Sequence, residues 1–195
     1  FGLAALVLIA CHRSGEEPVD RIGLSSELIS QDPPYAQGNL ILAGTVVPIE
    51  VRSISAGDEV RMELVAHGET IEQEVYQNGR NGFSVSEAGG ESYSPPIPLL
   101  RFPLDVGDTW KWSGTSSSGP IKHPTTAKVI TSREQLNVSG GPYSSIRVKV
   151  ELQYKGTSSK PAVRILDFWF APGKGIVKRQ FGASSTREPR PVPSR

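Results

Sequence analysis

The sequence predicts an all-β protein, an antiparallel meander preceded by a flexible N-terminal tether. Three observations predict it. From Asn39 onward apolar and polar residues alternate through much of the chain, the pattern of half-buried strands. Glycine and proline are abundant, at 20 and 16 of 195 residues, which favours short strands and turns over long helices. No stretch long enough for a helix carries a 3.6-residue apolar period.

The length suits one ordinary domain or two small halves sharing a core. Charges nearly cancel, at +1. A nucleic-acid binder would concentrate a basic excess on one segment, so no nucleic-acid partner is expected.

Residues 1–10, Phe-Gly-Leu-Ala-Ala-Leu-Val-Leu-Ile-Ala, are uncharged and apolar and stop at Cys11. They are too few to span a bilayer, which takes about 20, but they match the apolar h-region of a secretory signal. No basic n-region precedes them. Leu8-Ile9-Ala10-Cys11 resembles the bacterial lipobox, in which a small residue precedes the cysteine that is lipidated and becomes the new N-terminus. Cys11 is the single cysteine. An unpaired cysteine in an exported chain needs a reason, and thioether lipidation supplies one. Multiple acyl chains hold a protein firmly on a membrane. Cys11 is therefore the expected lipidation site, with residues 1–10 removed. His12, where an inner-membrane retention signal of enterobacteria has Asp, favours the outer membrane in a Gram-negative cell.

Residues 11–38 read as the lipidated cysteine and its tether, with Pro18, Pro33, Pro34 and Gly38 among polar residues. They leave room for one short helical turn around Ile22, Leu24, Leu28 and Ile29. The β-sheet domain spans 39–182. Val60, Met62, Leu64 and Ala66 point one way, against Arg61, Glu63 and Val65. The strongest alternation sets Ile146, Val148, Val150, Leu152 and Tyr154 against Arg147, Lys149, Glu151, Gln153 and Lys155. Slipping it by one residue would turn the whole apolar row to water, so its register is fixed. Ala127 with Val129 and Leu136 with Val138 mark two further short strands.

An internal similarity organises this domain. Tyr76-Gln-Asn-Gly-Arg-Asn-Gly-Phe-Ser-Val85 aligns with Phe170-Ala-Pro-Gly-Lys-Gly-Ile-Val-Lys178 after one extra residue in the first copy. Each copy follows an alternating strand that ends in glycine. Two tandem β-meanders, about 40–93 and 105–182, are expected. The Pro-rich segment 94–104 between them lacks too many amide donors for a central strand and reads as an extended connection packed on the sheet. Trp110 and Trp112 then share one face of a strand. Residues 183–195 read as a disordered tail.

Phe102-Pro-Leu-Asp-Val-Gly-Asp-Thr-Trp110 and Trp169-Phe-Ala-Pro-Gly-Lys-Gly-Ile-Val-Lys178 resemble segments of an uncharacterised group of secreted bacterial lipoproteins, written FPLxVGDTW and WFAPGxGxVK. The resemblance covers about residues 95–182, and the preceding half more weakly. It implies a sheet curled into a half-barrel, similar to the lipoprotein-localisation carriers of the periplasm. It implies no catalytic residues, because the group has none established.

Catalytic and metal chemistries find little purchase. Cys11 is committed to lipid, and His12, His67 and His123 lie apart in polar regions, so no nucleophile–base–acid set is expected. No HExxH, CxxC or close His pair occurs, and Asp105 and Asp108 fit a turn better than a calcium loop. Gly173-Lys174-Gly175 is followed by a strand rather than a helix N-terminus, so a hairpin explains it better than a phosphate cradle. Asp167, an acid in an apolar strand, needs a partner, with Arg147 or Arg164 in reach. No cofactor or metal is expected.

The aromatic residues Trp110, Trp112, Phe168, Trp169 and Phe170 are the candidate contacts for an apolar ligand in a curved sheet, and core filling is the competing account. The sequence thus points to a non-catalytic, membrane-anchored lipoprotein of the bacterial cell envelope, a binding or interaction module. The alternatives are a carrier of a lipid or other apolar ligand, and a hydrolase with an unrecognised site. The expected partners are the membrane, through lipid on Cys11, and an apolar ligand or envelope protein.

Overall fold

A computed structural model describes residues 21–22, 35–42, 45–138, 141–155 and 162–183. The signal segment 1–10, Cys11, His12 and the tail beyond 183 lie outside the described residues. The strands, in chain order, are β1 (Arg21–Ile22), β2 (Tyr35–Leu42), β3 (Thr45–Ala56), β4 (Glu59–Ala66), β5 (Glu69–Gly79), β6 (Gly82–Ala88) and β7 (Glu91–Arg101). They continue with β8 (Leu104–Asp105), β9 (Thr109–Ser118), β10 (Ile121–Val138), β11 (Gly141–Tyr154), β12 (Ala162–Ala171) and β13 (Gly175–Ala183). The described residues contain no helix.

Eleven strands form one antiparallel sheet in the order β13-β12-β11-β10-β9-β7-β6-β5-β4-β3-β2, and β1 pairs separately with β8. The sheet is curled into a half-barrel. The curl brings β5 and β6 opposite β12, so that Tyr76 meets Phe168 edge-on at 6.4 Å between ring centroids and Phe83 meets Phe170 at 5.8 Å. Both contacts have the edge-to-face geometry that aromatic quadrupoles favour. The β11 row Ile146, Val148, Val150 and Leu152 is buried and pairs with Phe170, Phe168, Leu166 and Arg164 of β12. Alternation therefore places the apolar row on the inner face, as its period requires.

Parts of the segment expected as a tether lie in strands. β2 begins at Tyr35, and Ile22 lies in a strand, with Arg21 opposite Asp105 and Ile22 opposite Leu104. The helical turn expected there is absent at Ile22; Leu24, Leu28 and Ile29 lie outside the described residues. The two short strands around Val129 and Leu136 are one strand of 18 residues, β10. β11 pairs along its length from Thr125 to Val138 while β9 pairs only as far as Ile130. Support from one neighbour carries the strand on where the other has ended.

The Pro-rich segment is the larger correction. Residues 94–101 belong to β7, which stands inside the sheet between β6 and β9. Prolines are tolerated because β7 pairs with β9 only through Ser92, Tyr93 and Ser94. Beyond Ser94 the two strands part, so Pro95, Pro96 and Pro98 owe that neighbour no amide donor. Indoles from β9 occupy the parting: Trp112 Nε1 donates to Pro95 O at 3.1 Å and Trp110 Nε1 to Pro98 O at 2.9 Å. Two side chains thus stand in for the missing ladder.

The two glycine turns of the internal similarity differ in mechanism. Gly173 and Gly175 have φ of 65° and 76°, a region that glycine enters without penalty, and Lys174 N donates to Ala171 O at 3.0 Å to close the turn. Gly82 has no positive φ. A Cβ there would lie 2.5 Å from Leu100 O, so close approach of β7 demands glycine.

Candidate functional site

The five aromatic candidates do not share one surface. Phe168 and Phe170 have no exposed surface and lie in the core with Tyr76, Phe83 and Leu166. Trp110 and Trp112, 9% and 7% exposed, extend that core beneath the β7–β9 parting. Trp169 alternates to the outer face. There it is buried under cations, with Lys178 Nζ 4.4 Å and Arg147 Cζ 5.3 Å from its ring centroid. Its Nε1 is buried and lacks an acceptor.

Asp167, on the same outer row, accepts from Arg147 Nε at 3.0 Å, one of the two partners expected from sequence. This hydrogen bond is the main cause of the raised Arg147 pKa, with smaller help from the Asp167 and Glu134 charges.

Two polar clasps tie the walls of the half-barrel together. In the first, Glu74 of β5 has no exposed surface and forms an ion pair with Arg179 of β13. Tyr76 donates to Glu74 Oε2 at 2.7 Å, and Glu72 lies 3.7 Å from Arg179. Glu74 Oε1 is buried without a partner. Burial pushes the Glu74 carboxyl up to about 7, against the opposing pull of Arg179 and Tyr76. Burial also raises Tyr76 well above the usual phenol range, and the Glu74 charge adds to it.

In the second clasp Arg164 of β12 meets Glu91 of β7 at 2.9 Å and donates to Gly89 O at 2.8 Å. Tyr154 donates to Glu91 Oε2 at 2.8 Å. Burial raises the pKa of both Tyr93 and Tyr154, and Glu91 raises them further. Neither clasp was legible in sequence. The available signal was phase: Glu74 alternates with Tyr76, and Arg179 with Phe181, so each charge falls on an apolar face. Nothing local shows that these faces meet.

The remaining candidates are dispersed. His67 is exposed in the β4–β5 turn with φ 53°, and His123 sets its ring edge-on to Tyr154 at 6.1 Å. Asp108 Oδ2 accepts from Asp105 N at 3.1 Å, and Asp108 N donates to Asp105 O at 3.1 Å, the side-chain-closed turn that Asp favours. Among the described residues no group of three or more His, Cys, Asp or Glu is placed to hold a metal.

One open groove of about 390 Å³ lies at the β5–β6 hairpin, lined by Gln77, Arg80, Asn81, Ser84, Arg101 and Asp58 among others. Nothing in the sequence of Gly79-Arg-Asn-Gly82 beyond its turn residues signals this groove.

No protein-family model and no curated protein matches the chain. Two solved structures align with it. One is a candidate lipoprotein from Parabacteroides distasonis, 11% identical, with a TM-score of 0.47, covering 80% of this chain and 91% of that one. The other is a candidate exported protein with a YmcC-like fold from Bacteroides fragilis, 13% identical, with a TM-score of 0.40 and the same coverage.

Proposed function

We propose that the protein is a non-catalytic binding or interaction module, anchored by lipid on Cys11 to the bacterial cell envelope. The observation that carries this reading is Leu8-Ile9-Ala10-Cys11 at the end of an apolar run, with Cys11 the single cysteine. The pairing of β1 with β8 bears on the geometry of such an anchor. The chain joins the folded domain at Arg21, ten residues after Cys11, and ten extended residues reach at most about 35 Å. An anchor on Cys11 would hold the Leu104–Asp105 edge near the membrane. His12 favours the outer membrane where the enterobacterial sorting rule applies.

The ionisable groups support a non-catalytic role. The buried ones join strands through carboxylate–guanidinium clasps, and His67 and His123 lie in separate exposed positions. The carrier alternative has less support. Tyr76, Phe83, Phe168 and Phe170 occupy the interior that an apolar ligand would need. Metabolic labelling with a fatty acid tests the anchor: label is expected on the native chain and lost in Cys11→Ser, and persistence in that variant refutes it.

A further inference from the structure

The groove at the β5–β6 hairpin has the makings of a ligand site. Its rim is held in place. Asn78 N donates to Asp58 O at 2.7 Å, and Phe102 N donates to Asn81 O at 3.0 Å. These bonds tie the β3–β4 turn and the end of β7 to the hairpin. Gly82 lets β7 approach the hairpin closely, because a Cβ there would strike Leu100 O. Two guanidiniums line the groove, Arg80 and Arg101. Neither has a carboxylate partner among the described residues, in contrast to Arg61, Arg147, Arg164 and Arg179. Arg101 lies over the Trp110 ring at 5.2 Å, which limits its motion and leaves its N–H fork available.

The lining charges sum to one excess positive charge, since Asp58 is the single acid. Two arginines on one anion permit forked, charge-assisted hydrogen bonds, the strongest kind available at a surface. Gln77, Asn81 and Ser84 add neutral donors and acceptors suited to hydroxyls. The groove is open rather than enclosed, and its volume of about 390 Å³ leaves room for one sugar ring with one charged substituent.

We propose that this groove binds a sugar-sized, hydroxylated molecule carrying a single oxyanion, with Arg80 and Arg101 gripping the anion and Gln77, Asn81 and Ser84 the hydroxyls. The oxyanion is a phosphate or a carboxylate, and the shared chemistry is that of a planar or tetrahedral oxygen acceptor. The site deepens the binding-module reading and rests on it. Its test needs no anchor, so failure of Cys11 labelling and failure of the groove are separate results.

The full chain is titrated with glucose 6-phosphate, glucuronate, glucose and inorganic phosphate at low ionic strength, and backbone amide shifts are followed. Saturable shifts confined to Gln77–Ser84 and Leu100–Arg101 with one of the two charged sugars support the site, and the tighter of them identifies the anion. Arg80→Gln and Arg101→Gln should each weaken that binding about tenfold, the loss of one charged hydrogen bond. Asp58→Asn should tighten it. The proposal is overturned by an absence of saturable shifts with both charged sugars, by equal binding of neutral glucose or bare phosphate, or by binding that survives both arginine changes.

Discussion

Glu74 is where the chemistry of single residues departs furthest from the ordinary. Its carboxyl is pushed up to about 7 from 4.5 by burial, with Oε1 lacking any partner to replace lost water. A raised folded-state pKa means that the native chain holds the proton more tightly than the unfolded chain does. Stability from this group is therefore complete below about pH 4.5 and declines as pH rises towards about 7. The full decline is about 3 kcal/mol for a shift of this size. Urea unfolding followed between those two pH values should show stability falling as pH rises, and Glu74→Gln should flatten the slope. Equal slopes in the two proteins would rule out the titration of Glu74. Asp167 is the contrasting case: an acid inside an apolar strand announced its need for a partner, and Arg147 meets it at 3.0 Å. That pairing was legible because both residues lie on paired strands with strong alternation. The Glu74–Arg179 clasp was not, because it depends on how far the sheet curls.

Among the elements, β7 shows where a sound local rule stops applying. Four prolines within Pro95–Pro103 argue against a central strand, yet β7 is central. The rule concerns amide donors on both sides, and β7 owes β9 none beyond Ser94. Trp112 and Trp110 supply the donors instead. Trp112→Phe would leave Pro95 O without its indole and open a small void. It should lower stability by about 2 kcal/mol in urea denaturation, whereas Lys111→Ala, on the exposed face of β9, should leave it within about 0.5 kcal/mol. An equal effect of the two changes would show that the indole bond carries no stability. β11 lies at the other extreme, with every inward position of Ile146 to Leu152 read correctly from alternation alone. Its neighbour β10 shows an alternation broken in two, because the polar run Ser132 to Gln135 interrupts the apolar pattern without ending the pairing.

At the scale of the molecule, the half-barrel is filled by its own side chains. Tyr76 stacks on Phe83 at 5.1 Å, Phe181 of edge strand β13 packs on Phe168 at 5.5 Å, and the two arginine clasps join β5 and β7 to β13 and β12. Alternation established strands and their inner faces. It carried no information on curl, which entered through the resemblance of two motifs. A filled interior moves the search for function to the outer surface and to the anchor proposed at Cys11. Both parts of that view meet in one measurement: intact-mass spectrometry of the protein purified from membranes, before and after solvent extraction. The purified chain should begin at Cys11, keep a covalent acyl-bearing mass on that residue and release no stoichiometric lipid. A chain without added mass at Cys11, or one that gives up an equivalent of free lipid on extraction, would contradict it.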